Sequence, residues 1–453
     1  MTQQASSDLS WLGIFRLGLV QAALGAMVVL TTSTLNRVMV VELGQPALLP
    51  GILVALHYAV QISRPRMGFG SDVGGRRTPW IIGGLAVLAL GAVGAAAATA
   101  WMGSSRPAGI ALALLCFVAI GFGVSASGTN LLVLLAKRVA PQRRAPAATI
   151  VWMMMILGFA VTAGVAGKLL EPYSHARLVG VMAALCGAAF VLALGALRGV
   201  EGPAAPTADA AEPAPPPFRQ ALAQVWAEPD ARRFTIFIFV SMLAYSAQDL
   251  ILEPFAGTVF AYTPGQTTQL SGLQHGGVLA GMILVAVAGG GLLGRRWGSL
   301  RAWAVGGCIA SALSLAGLVL AGRVGPGWPL AANVFLLGAA NGAFSIAAIG
   351  SMMRLAGAGR RRREGVRMGL WGAAQAIAFG LGGLAGAAAS DLARWLIGSP
   401  GAAYACVFAF EALLFLVAAK LATCIDNPAA GALPQPNQPD APQVRAGALV
   451  NVR

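Results

Sequence analysis

Twelve long apolar stretches constrain this chain more than any other feature of its sequence. A helix that crosses the hydrocarbon core of a bilayer needs about 20 predominantly apolar residues. Such windows lie at approximately residues 14–35, 47–63, 79–101, 108–136, 147–170, 177–197, 233–254, 271–293, 301–322, 328–352, 366–389 and 402–423. Charged residues make up only 10% of the chain, whereas soluble domains carry about 25%. We therefore predict an all-α membrane protein with twelve transmembrane helices.

The distribution of basic residues predicts the orientation of the helices. A net charge of +15 would suggest nucleic acid for a soluble protein, but in a membrane protein Lys and Arg collect in cytoplasmic loops. With both termini in the cytoplasm, the cytoplasmic segments hold 25 Lys and Arg residues and the opposite loops hold 6. We therefore expect cytoplasmic termini and no nucleic-acid partner. The five cysteines are isolated from one another in or at the end of apolar runs, so neither a disulfide framework nor a metal site is expected.

An internal repeat indicates how the helices are organised. Gly75-Arg76-Arg77 recurs 219 residues later as Gly294-Arg295-Arg296, and Arg144 with Trp152 recurs at the same offset. Two matches at one offset favour a 6+6 duplication, which is the plan of the major-facilitator fold. We predict a first six-helix bundle at 1–197, a Pro- and Ala-rich cytoplasmic linker at 198–232, a second bundle at 233–424 and a disordered cytoplasmic tail at 425–453.

The loop between the second and third helices carries the sharpest local motif. It contains Gly68, Asp72, Gly75, Arg76 and Arg77, and it resembles the loop signature of the major facilitator superfamily. The glycines permit a tight turn and the acid can accept from a basic group nearby. We interpret these five residues as a conformational latch at the cytoplasmic helix ends. The alternative is an ordinary positively charged cytoplasmic loop.

Further motifs surround this loop and extend over nearly all the helices. They are Asn36-Arg37 with Glu42, Arg64-Pro65-Arg66, Gln142-Arg143-Arg144 before Trp152 and Met153 to Met155, Gln248-Asp249 with Glu253, Pro254 and Gly257, and Gly369 with Trp371 and Gln375. As a set they resemble the BCH/PUCC family, the PucC and LhaA group of light-harvesting complex assembly proteins. The resemblance covers about residues 14–423 and leaves out the linker and the tail.

The resemblance implies a function that composition and periodicity do not. Members of that family support assembly of bacteriochlorophyll-protein antenna complexes in the photosynthetic inner membrane. The implied cargo is bacteriochlorophyll or a precursor. The implied partners are light-harvesting antenna polypeptides, membrane lipid, and pigment-synthesis or membrane-insertion machinery. No nucleophile with a base and no nucleotide loop is recognisable, so we do not expect an enzyme. The alternative function is secondary transport of a small hydrophobic or tetrapyrrole compound.

Three polar side chains near the end of the seventh helix form one candidate site. Asp249 and Glu253 are four residues apart and therefore share a helix face. With Gln248 they could form a docking or pigment-contacting surface. The competing interpretation is that carboxylates at a helix end simply reach interfacial water.

Two further candidates lie inside apolar windows. Glu411 falls near the middle of the twelfth helix, where an ionised carboxylate is costly. It is a proton-coupling candidate if the protein transports, or else a neutral acid bonded to a neighbouring helix. His57 lies deep in the second helix and is a candidate axial ligand for a pigment metal, although a structural histidine explains the same position.

Overall fold

The chain forms twelve helices of 13 or more residues and no strand within the residues that the structure describes. The computed structural model describes residues 9–64, 76–202, 223, 226–289, 299–358 and 364–424. The helices are α1 Trp11–Thr32, α2 Leu48–Val60, α3 Thr78–Met102, α4 Arg106–Arg138, α5 Arg144–Leu169, α6 His175–Leu197, α7 Pro229–Val259, α8 Pro264–Gly289, α9 Leu300–Val324, α10 Leu330–Ala358, α11 Glu364–Ile397 and α12 Pro400–Thr423.

Eleven helices of the described ranges are long and apolar enough to cross a membrane. The remaining helix, α2, has 13 residues and continues as a short 3-10 turn, Gln61–Ser63. At about 1.5 Å per residue α2 alone spans about 20 Å, which is less than a hydrocarbon core of about 30 Å. The predicted all-α, multi-pass architecture is therefore confirmed, with a second helix whose described part is short.

Helix α1 is followed by two short helical segments instead of a loop. After Ser33 the chain continues as a short helix, Thr34–Arg37, and then as a π-helical turn, Val38–Glu42. We call these residues 34–42 the α1 extension. Because a π turn widens the helix, it redirects the side chains that follow a regular α-helix. The extension carries the Asn36-Arg37 motif into the contact with α7 and α8.

Helix packing follows the predicted duplication. In the first half, α1 packs against α5 and α6, α3 against α4 and α6, and α2 against α4. In the second half, α7 packs against α11 and α12, α9 against α10 and α12, and α8 against α10. Each pair in one half thus has its counterpart six helices later. The halves meet where α5 packs against α8 and where α2 packs against α11. These two contacts are equivalent, because each helix of one pair lies six helices from a helix of the other.

The segment between the halves differs from the predicted linker at both ends. Helix α7 begins at Pro229 rather than near residue 233, and Glu228 precedes it as the N-cap residue. Glu201 at the other end contacts the start of α3. These two acids are therefore part of the folded bundles, because each finds helix-end or guanidinium donors. Residues 203–222 of the linker and the tail at 425–453 lie outside the described residues.

Candidate functional site

Aromatic rings from both halves meet at the middle of the bundle. The ring centroid of Tyr58 on α2 lies 5.6 Å from that of Phe379 on α11. The ring of Tyr245 on α7 lies 5.8 Å from Phe379 on its other side. All three side chains are half-buried. The rings thus form a tilted aromatic cluster where the first half meets the second.

Two carboxyl groups accompany these rings. Asp249, one turn beyond Tyr245 on α7, interacts electrostatically with both tyrosines and with Glu411 of α12. Asp249 is half-buried, whereas Glu411 is only 1% exposed and neither carboxyl oxygen has a hydrogen-bond partner. We call Tyr58, Tyr245, Asp249, Phe379 and Glu411 the central cluster. A buried carboxyl without a partner favours its neutral form, so the cluster combines aromatic faces with acids that can change charge.

The three polar residues predicted on α7 differ in their exposure. Gln248 is fully buried, and Glu253 is 2% exposed. Asp249 alone of the three is half-exposed and belongs to the central cluster. Gln248 and Glu253 are buried because this part of α7 is enclosed by α11, α12 and the α1 extension. The role of the three residues as a docking or pigment-contacting surface stays a prediction.

His57 lies beside the central cluster, but its side chain is buried. Its side chain is 3% exposed, its Nε2 lies 2.9 Å from the side-chain nitrogen of Gln61, and its Nδ1 is buried without a partner. Its backbone carbonyl lies against Gly121 of α4. A tetrapyrrole ring would need α2 to move before it could reach either nitrogen. The ligand role of His57 stays a prediction, and this conformation favours the structural interpretation.

Hydrogen bonds join the two halves at one end of the bundle. We call this the distal end, opposite the end at which Trp11 begins α1 and Thr423 ends α12. Here the Thr34 and Thr268 hydroxyl oxygens lie 2.9 Å apart, and the Asn36 side-chain amide donates to the Leu250 carbonyl over 2.6 Å. Arg37, 2% exposed, pairs with Glu42 and donates to the carbonyl of Tyr262 over 2.7 Å. Arg37 of the Asn36-Arg37 motif is thus a buried tie between the halves.

A second contact at the distal end ties α2 to α11. The Asp391 carboxylate accepts from the backbone N–H groups of Ala47 at 3.0 Å and Leu48 at 2.8 Å. It therefore caps the start of α2, where helix N–H groups lack intrahelical partners. Arg394 pairs with the same carboxylate. Together with the α1 extension, this cap closes the distal end.

At the opposite end, the described part of the predicted latch meets the end of the first half. Arg76 is exposed and Arg77 is buried, while Gly68, Asp72 and Gly75 lie outside the described residues. The Glu201 carboxylate accepts from the backbone N–H of Arg77 and, at 2.8 Å, from that of Thr78. Arg138 donates to the Glu201 carbonyl over 2.9 Å. Glu201 thus provides the carboxylate that caps the start of α3, although the sequence predicted that this residue belongs to the linker.

The electrostatics of Glu201 follow from these contacts. Its burial raises the pKa of the carboxyl group, but hydrogen bonds from Thr78 and from the Arg77 and Thr78 backbone outweigh that effect, together with the charge of Arg76. The net result is a pKa below the ordinary value. Arg76, Thr78 and Glu201 line a cavity of about 470 Å³ between α3 and the end of α6. Arg76 and Glu201 thereby bind the start of α3 to the end of α6.

Comparison with known proteins gives the relationships of the whole chain. A family model described as "PUCC protein" matches residues 34–429. The chain is 54% identical to the "Bacteriochlorophyll synthase 44.5 kDa chain" of Rhodobacter capsulatus, over 92% of this chain and 95% of that protein. It is 32% identical to "Protein PucC" of Cereibacter sphaeroides, over 91% of this chain and 92% of that protein.

Solved structures show the same architecture at much lower sequence identity. A bacterial homolog of the human lysosomal transporter Spinster has a TM-score of 0.64 and 14% identity, over 91% of this chain and 95% of that chain. A mutant of the peptide transporter POT in complex with sulfate also has a TM-score of 0.64 and 14% identity, over 91% and 94% of the two chains. These likenesses confirm the major-facilitator fold.

Proposed function

The chain belongs to the PUCC family, and from this premise we propose that it assists assembly of bacteriochlorophyll-protein light-harvesting complexes. The observation that carries the proposal is its high identity, over almost the whole chain, to a protein named for bacteriochlorophyll synthesis. In this proposal the protein holds bacteriochlorophyll or a precursor within the membrane and delivers it to antenna polypeptides. It acts in the photosynthetic inner membrane, with both termini in the cytoplasm.

The central cluster supports pigment binding by its chemistry. Aromatic rings stack favourably on flat conjugated ligands, and the rings of Tyr58, Tyr245 and Phe379 present such surfaces. The magnesium ion of a chlorophyll is a hard cation that accepts oxygen ligands. Asp249 lies among these rings and supplies a half-buried carboxylate. We propose that the macrocycle enters between α2, α7 and α11 with Asp249 facing its metal.

The proposed role is a non-catalytic one. The name of the Rhodobacter capsulatus relative designates one chain of a synthase. We place this protein beside the pigment-synthesis machinery as a carrier component that makes and breaks no covalent bond. The membrane-insertion machinery is the second proposed contact, since antenna polypeptides must receive pigment as they enter the bilayer.

Purification in mild detergent from a pigmented host, followed by absorption spectroscopy, tests the proposal. We expect substoichiometric pigment with the wild-type protein, and less with Asp249→Asn or with Tyr58→Ala. Asp230→Asn is the matched control, because its side chain is 75% exposed at the start of the same helix. His57→Ala should retain pigment if the imidazole is structural. A deletion strain with normal antenna levels would overturn the assembly role.

A second candidate function is secondary transport of a small hydrophobic or tetrapyrrole compound. One observation favours it: the Glu411 carboxyl is buried in mid-helix without a hydrogen-bond partner and interacts electrostatically with Asp249. Buried acids of this kind mark proton relays in transporters. Flux of a labelled tetrapyrrole into proteoliposomes, abolished by Glu411→Gln, would favour transport. Equal flux in both proteins would remove Glu411 from the mechanism.

A further inference from the structure

A second buried acid lies outside the central cluster, at the closed distal end. Glu253 of α7 is 2% exposed. The side chains around it come from two segments and all present hydroxyl groups: Ser33 after α1, and Thr267 and Ser271 on α8. Neither carboxyl oxygen of Glu253 makes a hydrogen bond of standard geometry. This buried acid thus sits among hydroxyl groups with its own polar atoms unsatisfied, which is costly unless a further group satisfies them.

The Thr267 hydroxyl cannot donate a hydrogen bond to Glu253. Its hydrogen is donated to the carbonyl of Pro264 over 3.1 Å. A hydroxyl has one hydrogen and two lone pairs, so Thr267 can only accept from Glu253. An ionised carboxylate is also only an acceptor. The Thr267 hydroxyl and the carboxylate oxygen that faces it therefore need a proton or a cation between them, while Ser33, whose hydroxyl also lacks a partner, can donate to the other oxygen.

The charges nearby favour a proton over a divalent metal cation. Arg37 is the charged group that interacts electrostatically with Glu253, and it is already paired with Glu42. Because these two charges balance each other, one proton neutralises Glu253 without further ligands, whereas a divalent cation would leave an uncompensated positive charge beside the guanidinium. The other acids on the packed helices belong to other contacts: Asp249 and Glu411 to the central cluster, and Asp391 to the cap of α2. His275, on α8, bonds the Ser271 carbonyl.

We propose that Glu253 is a proton-binding site whose occupancy stabilises the closed distal end. In the closed state the carboxyl O–H donates to the Thr267 hydroxyl oxygen. When the α1 extension separates from α7 and α8, water reaches Glu253, the O–H bond breaks and the proton passes to water as the carboxylate forms. This proposal concerns conformational exchange and does not depend on which compound the protein handles.

Infrared difference spectroscopy on the purified full-length protein tests the proton directly. We expect a protonated-carboxyl band at neutral pH that is lost in Glu253→Gln and kept in Asp249→Asn, and that is separate from the band of the neutral Glu411, which is lost in Glu411→Gln instead. If Glu253→Gln fails to fold, Glu253→Asp keeps a carboxyl group and should move the same band. A spectrum that neither substitution at Glu253 alters would overturn the proposal.

Labelling of a distal cysteine tests the coupling to conformation. Thr268→Cys, combined with Cys406→Ser and Cys424→Ser to remove the exposed native thiols, is labelled with a membrane-impermeant maleimide across pH. Ser104→Cys, exposed at the distal end, corrects for the pH dependence of the reagent. Labelling should rise with pH when Glu253 is present and stay flat in Glu253→Gln. A response to sodium against choline at fixed pH, without a pH response, would overturn proton binding in favour of a cation.

Discussion

The side-chain amide of Asn36 reaches across the boundary between the two halves and donates to the backbone carbonyl of Leu250 over 2.6 Å. The Asn36 side chain is 1% exposed, so water cannot replace this bond while the distal end is closed. The acceptor is a main-chain carbonyl within α7, and its position therefore depends on backbone geometry rather than on a rotamer. Asn36 thus fixes the α1 extension to α7 at one defined register.

Replacing Asn36 by Ala should loosen the closed distal end. The substitution leaves a buried carbonyl with one partner fewer, and such losses cost about 1 to 3 kcal/mol. We expect a lower thermal midpoint in detergent and greater labelling of a cysteine at position 268. Asn130→Ala is the matched control, since Asn130 bonds the Ala126 carbonyl within its own helix at 2.8 Å. Labelling that rises equally in both variants would show that the bond across the halves has no special role.

Replacing Glu201 by Gln should weaken the start of α3 and flatten the pH dependence of stability. Because folding lowers the pKa of Glu201, the ionised cap stabilises the protein above the ordinary glutamate pKa. That contribution is lost as pH falls through the lowered pKa. Loss of a helix cap costs about 1 kcal/mol. Thermal midpoints measured from neutral to acidic pH should converge for the two proteins, and Asp230→Asn, which is exposed, should follow the wild type.

The contact of Glu228 with Arg367 should be the strongest ion pair of the second half. Arg367 is 2% exposed and donates to the Glu228 carboxylate at 2.7, 2.9 and 3.0 Å. Glu228→Gln should cost about 1.5 to 3 kcal/mol, the range for hydrogen bonds to charged groups. Arg233→Gln breaks an exposed pair with Asp230 at 3.9 Å and should cost less than about 1 kcal/mol. Similar losses in thermal midpoint for both variants would contradict this ranking.

Much of the architecture could be predicted because a membrane helix is recognisable from its own stretch of sequence. The apolar windows located all twelve helices, since each window depends only on its own residues and on the thickness of the bilayer. The repeat of Gly75-Arg76-Arg77 predicted the duplication, and the paired helix contacts agree with it. Glu411 was placed correctly in mid-helix, because position within a window is also local.

The site could be predicted only in part because it depends on contacts between distant residues. Tyr58, Tyr245 and Phe379 come from three helices in two halves, and no sequence spacing joins them. The one available signal was the i, i+4 relation of Tyr245 to Asp249. The spacing of Glu253 from Asp249 pointed to a shared helix face but did not indicate that Glu253 is buried. Its burial arises from the α1 extension, whose π turn has no clear signature in the sequence.

Replacing Gly84 by Ala should disrupt the packing of α3 on α4. A Cβ atom at Gly84 would lie 2.6 Å from the Ser127 backbone nitrogen and 2.9 Å from the Gly123 carbonyl oxygen. Both atoms belong to the backbone of α4 and cannot rotate away, so the helices must separate. Overpacking of this kind costs about 1 to 3 kcal/mol, and close approach of small residues is what stabilises helix pairs in lipid. Gly83→Ala is the adjacent control, because a Cβ atom there meets nothing within 4 Å. Membrane abundance and thermal midpoint should fall for Gly84→Ala alone, and equal values for the two variants would refute the packing argument.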